Sequence, residues 1–363
     1  MDMDVHCGSK KVTEVKKKFI LHILAPDKFT LQLIPYLNKE MADYEQVFLA
    51  ISKPDDESIC ALPNVLYLKN PHRKYFFSNT KLVYYYFRKA SKIIIHGNPI
   101  LYYFYLFQFA LQKAYWVIYG HSDMGTKESN NKKNVHQFIK NRVLKKMFAH
   151  ITHIEGDAET ANEMFFSKAR FYNSPMYLTN IINTEDYKPE HKTTATKNIL
   201  MGNSTDPSNC HFEMFDLLLP YKDEDILIYC PLSYGPYTAY KDSVIERAKD
   251  LFKEKFIPLT EFMTLSEYRI FLNSIDVAVF NHKSQTAMGV TTSLLAMGKT
   301  VFAVAGTTSF LSLTSRGFHI FDINELAEGK LLKVHDVSPN VDLIKKYYSI
   351  ENLQQSYRYI YES

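Results

Sequence analysis

Along most of the chain, short apolar runs alternate with longer segments that are apolar on one side only. Phe19 to Leu24, Gln46 to Ile51, Ile93 to His96 and Tyr115 to Tyr119 read as strands, and Thr30 to Met41 as a helix. Apolar runs without polar alternation suit strands covered on both faces, and intervening helices act as crossovers between parallel neighbours. The pattern predicts βαβ units and a parallel sheet. Ile100 to Ile118 approaches the length of a membrane span, but Gln108, Gln112 and Lys113 interrupt it. A charge inside hydrocarbon is costly, so the expectation is a buried or interface-facing helix followed by a strand.

The segment 188–198 (KPEHKTTATKN) is polar, holds Pro189 and has no apolar period, as a linker should. Alternation then restarts: strands at Ile199 to Gly202, Ile226 to Cys230, Val277 to Phe280 and Thr300 to Val304, helices at His211 to Leu219, Tyr240 to Phe252 and Thr291 to Met297. Val341 to Tyr361 reads as a helical tail. The expected organisation is a basic arm over 1–18, a Rossmann-like domain over 19–190, a linker over 191–197, a second Rossmann-like domain over 198–340, and a terminal helix over 341–363 packing back toward the first domain. A chain of 363 residues has the length for two such cores.

Composition narrows the function classes. Hydrophobic residues at 46% and charged residues at 23% exclude extensive disorder. A formal net charge of +4 creates no global field for nucleic acid, so a nucleic-acid partner is not expected. The four cysteines form no CxxC pair and no secretory signal precedes them, which points to a reducing cytoplasm without a disulfide framework. Neither a DxD-like pair nor a metal-spaced His/Cys cluster is visible, so no metal is expected. Two segments, 67–92 and 134–148, interleave aromatic or apolar residues with cations, among them Arg73, Lys74, Arg88, Lys89 and Lys92. Such faces suit an anionic membrane surface.

Three loops at predicted strand ends carry candidate chemistry. The most informative is Val277 to Val304, where a strand leads through His282 and Lys283 to Gly289, Val290, Thr291 and Thr292 at a helix start. Helix N-termini present unpaired N–H groups and a positive dipole end, which suit a diphosphate, and glycine allows close approach. Thr291 and Ser293 acting only as helix caps is the plainer alternative. Gly202, Asn203, Ser204 and Asn209 form a second anion-binding candidate, and Tyr234 lies in a third loop, 231–237. Open parallel sheets place ligands at their carboxyl ends, so the three loops converge.

The order GNSTDPSN, PLSYG, FNHKSQTAMGVTTSLLAMGK resembles the family 56 glycosyltransferases, the TDP-N-acetylfucosamine:lipid II N-acetylfucosaminyltransferases, also described as 4-alpha-L-fucosyltransferases. The likeness extends from Phe19 to Asp322 through HILAPDKF, HGNP and WVIYG. It implies a GT-B fold with two parallel sheets facing across a cleft, a nucleotide-sugar donor on the C-terminal domain and a polyprenyl-diphosphate-linked glycan acceptor on the N-terminal one. It also implies peripheral attachment to the inner face of a bacterial plasma membrane. Many GT-B enzymes hold the ribose with a glutamate where this chain has Thr291 to Leu294, which is consistent with a dTDP-linked sugar.

Sugar transfer by direct attack needs a base near the acceptor hydroxyl. His22, Asp27, His96, His121 and Asp123 all lie at or just past predicted strand ends. The family's aromatic-Gly-x-Asp pattern appears as Tyr119, Gly120, His121, Ser122, Asp123, with the carboxylate displaced by one position. Either a local insertion keeps Asp123 in place or His121 takes over its work; His22 is the further candidate. A nucleotide-sugar epimerase of the same architecture and a non-catalytic nucleotide- or glycan-binding relative are the competing readings. The basic-aromatic N-terminal segments favour the transferase.

Overall fold

The computed structural model describes residues 18–69, 76–98, 100–119, 121–125, 134–184, 195–235, 238–283 and 286–363. Most of the basic arm, Arg73, Lys74, Gly120 and most of the linker lie outside them. The described chain divides into two compact units, residues 1–181 with 351–363 and residues 182–350.

The first unit is built on β1 (Ile20–Leu24), β2 (Gln46–Ala50), β3 (Val65–Tyr67), β4 (Lys92–His96), β5 (Ala114–Val117), β6 (Ala149–Thr152) and β7 (Arg170–Asn173). They lie in the order β3-β2-β1-β4-β5-β6-β7, and every pairing is parallel. Because successive strand residues face opposite ways, Leu21, Ile23, Ile93, Ile95 and Trp116 enter one core. Ile20, Leu24, Phe48, Ile94 and Val117 enter the other, where Leu353, Tyr357 and Ile360 of the terminal helix also pack. His22 falls on this second face, beside Phe48 and Ile94 in register. The strand order reverses between β1 and β4, the switch point where open sheets put their ligands.

The apolar run from Ile100 resolves into a short helix, Leu101–Leu106, a 3-10 turn, Gln108–Lys113, and β5. Two of its polar residues have protein partners: Lys146 Nζ donates to Gln108 Oε1 at 2.7 Å, and Lys113 Nζ to the Ala90 carbonyl, while Gln112 is exposed. Among the described residues no helix is long and apolar enough to cross a membrane.

The second unit repeats the plan with β8 (Lys197–Met201), β9 (Ile226–Pro231), β10 (Phe256–Leu259), β11 (Val277–Phe280), β12 (Thr300–Ala303) and β13 (Phe321–Asp322). Their order is β10-β9-β8-β11-β12-β13, again all parallel, with the reversal between β8 and β11. Two Rossmann-like units, each a parallel sheet between helices, are the expected GT-B fold class.

Two local expectations are corrected. The helix after β11 starts at Met288, because Ala287 turns the chain in the left-handed region at φ 58°, so Gly289 sits inside the first turn. The tail is two helices, Pro339–Tyr347 and Ile350–Glu362, broken at Tyr348 (φ −124°, ψ 21°). Each half packs on a different core: Ile344 and Tyr348 with the second unit, Leu353 to Tyr361 with the first.

Candidate active site

At the carboxyl edge of the first sheet a cavity of about 350 Å³ opens over the β1/β4 switch point. Asp27, His96, Asn98, Tyr119, Asp123 and Tyr177 line it. Asp27 follows β1 and is used locally, its Oδ1 accepting from the Phe29 and Thr30 amides, each at 2.9 Å, to start the helix Thr30–Glu40. Asp123 comes from the short helix His121–Met124 after β5. Its Oδ2 accepts from the Tyr119 amide at 2.6 Å, and its Oδ1 lies over Gly97, 3.5 Å from where a Cβ would stand. Among the described residues Oδ1 accepts no hydrogen bond.

That turn is fixed from below. Lys140 Nζ donates to the Asp123 carbonyl at 2.8 Å and the Met124 carbonyl at 2.9 Å, and Asn98 Nδ2 also donates to the Asp123 carbonyl. Asn98 Oδ1 is buried with no partner among the described residues. Burial pushes the Asp123 carboxyl up to about 6, against the opposing pull of the Tyr119 amide and the Lys140 cation. A carboxylate with one oxygen anchored, one oxygen free and an affinity for protons near neutrality can accept a proton from a hydroxyl.

The other candidates of this unit separate. His121 starts the short helix by its backbone, but its side chain lies outside the described residues. His22 is fully buried and does not line the cavity. Its Nδ1 is 3.1 Å from His96 Nε2 and its Nε2 is 2.7 Å from the Tyr361 hydroxyl, so both nitrogens are spent inside the protein. His96 Nδ1 reaches the Tyr177 hydroxyl at 3.0 Å. Burial lowers the pKa of both rings, to about 4 for His96 and well below the usual range for His22. Sequence reasoning singled out both histidines and missed Gln46, Tyr177 and Tyr361, which complete the arrangement. A histidine inside the apolar run Ile20–Leu24 was the available signal, since a polar ring buried on both sides must find partners.

In the second unit the three predicted loops meet at the β8/β11 switch point. Gly202 follows β8 at φ +67°, and its amide donates to the Val279 carbonyl of β11 at 3.1 Å. A side chain there would stand 2.9 Å from Asn209 Oδ1 and 3.3 Å from His211 Nε2, so only glycine fits. Asn209 is fully buried and holds the loop together. Its Nδ2 donates to the Ser204 hydroxyl at 3.1 Å and the Asp206 carbonyl at 2.9 Å. Its Oδ1 accepts from the Asn203 amide at 2.9 Å and faces His282 Nε2 at 2.9 Å.

A carbonyl can only accept, so the Asp206 contact fixes the Asn209 amide, and His282 Nε2 therefore carries the proton. His282 is neutral, its pKa lowered to about 4 by burial, and Nε2 also lies 3.0 Å from Asn203 Oδ1. Tyr234 is joined through its backbone: its carbonyl accepts from the Thr205 amide at 2.9 Å and hydroxyl at 2.8 Å. The Tyr234 ring and Lys283 are exposed. Val290 is half-buried in the first turn of the helix Met288–Ala296. Thr292 and Ser293 turn their hydroxyls back to the Met288 and Gly289 carbonyls at 2.9 and 2.8 Å, and Thr291 lines a small cavity beside His282. They do not cap the helix. Gly289 is exposed, and a Cβ added there would meet nothing within 4 Å.

Among the described residues no three His, Cys, Asp or Glu side chains gather as a metal site requires. The profile described as 4-alpha-L-fucosyltransferase glycosyl transferase group 56 matches residues 20–346. No curated protein matches the chain. Among solved structures, a glycosyltransferase from Rickettsia africae ESF-5 is similar with a TM-score of 0.66 and 14% identity, over 96% of this chain and 98% of that one. Anabaena HepE, solved with UDP and glucose, is similar at 0.63 and 10% identity over 95% and 100% of the two chains. The N-terminal domain of Candida albicans trehalose-6-phosphate phosphatase is similar at 0.64 and 11% over 97% and 98%. At these identities the likeness speaks for the fold.

Proposed function

The chain belongs to the group 56 glycosyltransferases, and from that premise we propose that it moves a deoxy or amino sugar from a dTDP-linked donor to a hydroxyl of a polyprenyl-diphosphate-linked glycan, with Asp123 as general base. It is a nucleotide-sugar-dependent transferase of GT-B fold; donor sugar, acceptor and residue roles are the proposal. The observation that carries it is Asp123 Oδ1, which accepts no hydrogen bond among the described residues and belongs to a carboxyl in the cavity of the first unit pushed up to about 6. The acceptor oxygen attacks the anomeric carbon and gives its proton to Asp123 Oδ1. The bond from the anomeric carbon to the diphosphate breaks, and the nucleoside diphosphate leaves. Direct displacement of this kind inverts the anomeric centre.

The donor's diphosphate is assigned to the second unit, between the Gly202 to Asn209 loop and the helix start at Met288. The unpaired N–H groups of the helix's first turn and its dipole suit the charge of the leaving group, and the open space at Gly289 leaves room for it. Asn203, Ser204, Asn209 and His282 hold the loop in shape, while Tyr234 and Lys283 are free to reach the nucleotide or its phosphates.

A peripheral attachment to the inner face of a bacterial plasma membrane belongs to the same proposal. Phe77 and Tyr84 of the helix Phe76–Lys89, Leu106, Phe109, and Phe138 of the helix Val135–Leu144 are exposed. Ring contacts link some of them to one another or to half-buried neighbours: Tyr84 with Phe107 and Phe109, Phe138 with Tyr105. Lys81, Arg88, Lys89, Arg142 and Lys145 are exposed on the same two helices or next to them. Aromatic side chains at headgroup depth with cations beside them fit an anionic lipid surface. Lys92 is excluded from this face. It is buried, and its Nζ donates to the Ile360 carbonyl and to Ser363 O at 2.8 Å.

The test is transfer itself. Asp123→Asn should bind donor as the parent does and lose a factor of about a hundred to ten thousand in kcat, the usual contribution of a general base. A near-parental kcat would remove Asp123 from the mechanism.

A further inference from the structure

A chain of buried hydrogen bonds crosses the first unit beneath the cavity, and its direction can be read from one end. Gln46 Nε2 lies 3.1 Å from the Leu37 carbonyl and 3.2 Å from the Met41 carbonyl. Carbonyls only accept, so the amide nitrogen occupies that position and Oε1 points the other way, 2.6 Å from the Tyr361 hydroxyl. Tyr361 must donate its single proton to Oε1, and its oxygen must then accept from His22 Nε2 at 2.7 Å. A neutral imidazole protonated on Nε2 has only a lone pair on Nδ1. His96 Nε2 therefore donates across the 3.1 Å gap to His22, and His96 Nδ1, bare in its turn, accepts from the Tyr177 hydroxyl at 3.0 Å.

We propose that Gln46, acting through Tyr361, His22 and His96, commits the Tyr177 proton inward, so that Tyr177 meets the cavity as a hydrogen-bond acceptor and the site selects a ligand that donates. Gln46, Tyr361 and His22 are positioning residues, since none of them lines the cavity. Other groups of the wall share the polarity: among the described residues Asn98 Oδ1 is buried without a partner, and Asp123 Oδ1 accepts no hydrogen bond. Among the described residues no lysine or arginine lines the cavity. The chemistry fits the hydroxyls of a neutral sugar ring and opposes a phosphate or carboxylate at this place. This assigns the sugar portion of the acceptor, and not its diphosphate, to the cavity, and in that respect it rests on the transfer reaction proposed above. The neutral state of the chain agrees with the lowered pKa of both buried rings.

The proton positions can be measured without donor or acceptor, so the result stands apart from any outcome on sugar transfer. Long-range ¹H–¹⁵N correlation spectra of histidine-labelled protein at pH 7.5 distinguish the Nε2–H, Nδ1–H and doubly protonated rings, with His22→Asn and His96→Asn as assignments. The expected result is a single Nε2–H tautomer at both positions. Tyr177→Phe should leave both unchanged, because the direction is imposed from the Gln46 end. Tyr361→Phe cuts that link and should give mixed or reversed tautomers at His22 and His96. An Nδ1–H or charged His96 in the parent, or tautomers that follow Tyr177→Phe instead of Tyr361→Phe, would overturn the proposal. The parent spectrum and Tyr177→Phe decide the matter even if Tyr361→Phe does not fold.

Discussion

If Asp123 is held ready to take a proton, the fold should be strained by its charge, and replacing it should stabilise the protein in a pH-dependent way. The carboxyl stands at about 6 in the fold against an ordinary value of 3.8, with burial as the main cause. A raised folded pKa means that the native state binds the proton more tightly than the unfolded chain. The stabilising effect of protonation is complete below the unfolded value and is lost as pH rises through about 6. At pH 8 the charged side chain costs about 3 kcal/mol, from a shift of roughly two units at 1.36 kcal/mol each. At pH 5 part of that cost is relieved, leaving about 1.6 kcal/mol.

Asp123→Asn removes the titration while its amide oxygen can still accept from the Tyr119 amide. Whatever the substitution does otherwise is the same at both pH values, so the stability gap between variant and parent should widen by about 1.4 kcal/mol from pH 5 to pH 8. Urea unfolding followed by the fluorescence of Trp116 measures it. That residue is the chain's single tryptophan and is fully buried in the first unit, so the signal reports the unit that holds Asp123. A gap that stays constant or narrows with pH would mean that Asp123 is an ordinary ionised carboxylate, and the argument for it as base would lose its electrostatic support.

Three further outcomes follow from the same geometry. Gly289→Val should fold normally, since its Cβ meets nothing within 4 Å, yet lose nucleotide affinity in calorimetry; parental affinity would move the diphosphate elsewhere. Gly202→Ala places a methyl 2.9 Å from Asn209 Oδ1 at a positive φ, so it should both destabilise the second unit by about 1 to 3 kcal/mol and weaken donor binding, read by denaturation and calorimetry together. Phe109→Ser with Phe138→Ser, or Arg88→Gln with Lys89→Gln, should reduce sedimentation with phosphatidylglycerol vesicles at low salt, where the parent binds best; equal sedimentation of parent and variants would exclude this face as the lipid contact.

The sheets were legible where burial on both faces leaves a run of three or more apolar residues, as in β2, β4 and β11, and in β1 where apolar pairs flank His22. The strands that escaped include all four sheet edges, β3, β7, β10 and β13. An edge strand has a neighbour on one side only, and its sequence is correspondingly mixed: β7 runs Arg170 to Asn173 with both ends exposed. The interior strand β6 also escaped, since Ala149–Thr152 is short and carries His150. At the site, the loops after β8, β9 and β11 were readable because their glycines and small polar residues cluster at strand ends. What they do was less readable. Asn209 and His282 could have been ligand contacts by residue type, but the structure uses their polar atoms to brace Asn203 and Ser204. Gln46 and Tyr361 are 315 residues apart, and no local pattern announces a bond between them.

The two units share a strand order and a switch point, yet they finish it with opposite chemistry, and this division supports the assignment of roles. In the second unit the switch point is a glycine turn with the Asn209 side chain spent on bracing it, followed by a helix whose first turn at Met288 to Val290 is open at Gly289. The loop amides of Gly202, Asn203 and Thr205 donate within the unit, so what remains to meet a ligand is the N–H of the helix's first turn, which favours negative charge. In the first unit, side chains close the switch point: the histidine pair beneath, and above it Asn98 Oδ1 and Asp123 Oδ1, which accept and oppose negative charge. A diphosphate only accepts, so it matches the second unit and is mismatched to the first, whereas a sugar hydroxyl can donate to the acceptors of the first. Exchange of the roles would require a phosphate to sit against a carboxylate with no lysine or arginine among the described lining residues, and the added repulsion would raise the Asp123 pKa further. A shift of the acid limb of the pH–rate profile above about 6 on binding of inorganic pyrophosphate would therefore mark that exchange, and an unmoved limb is the outcome expected here.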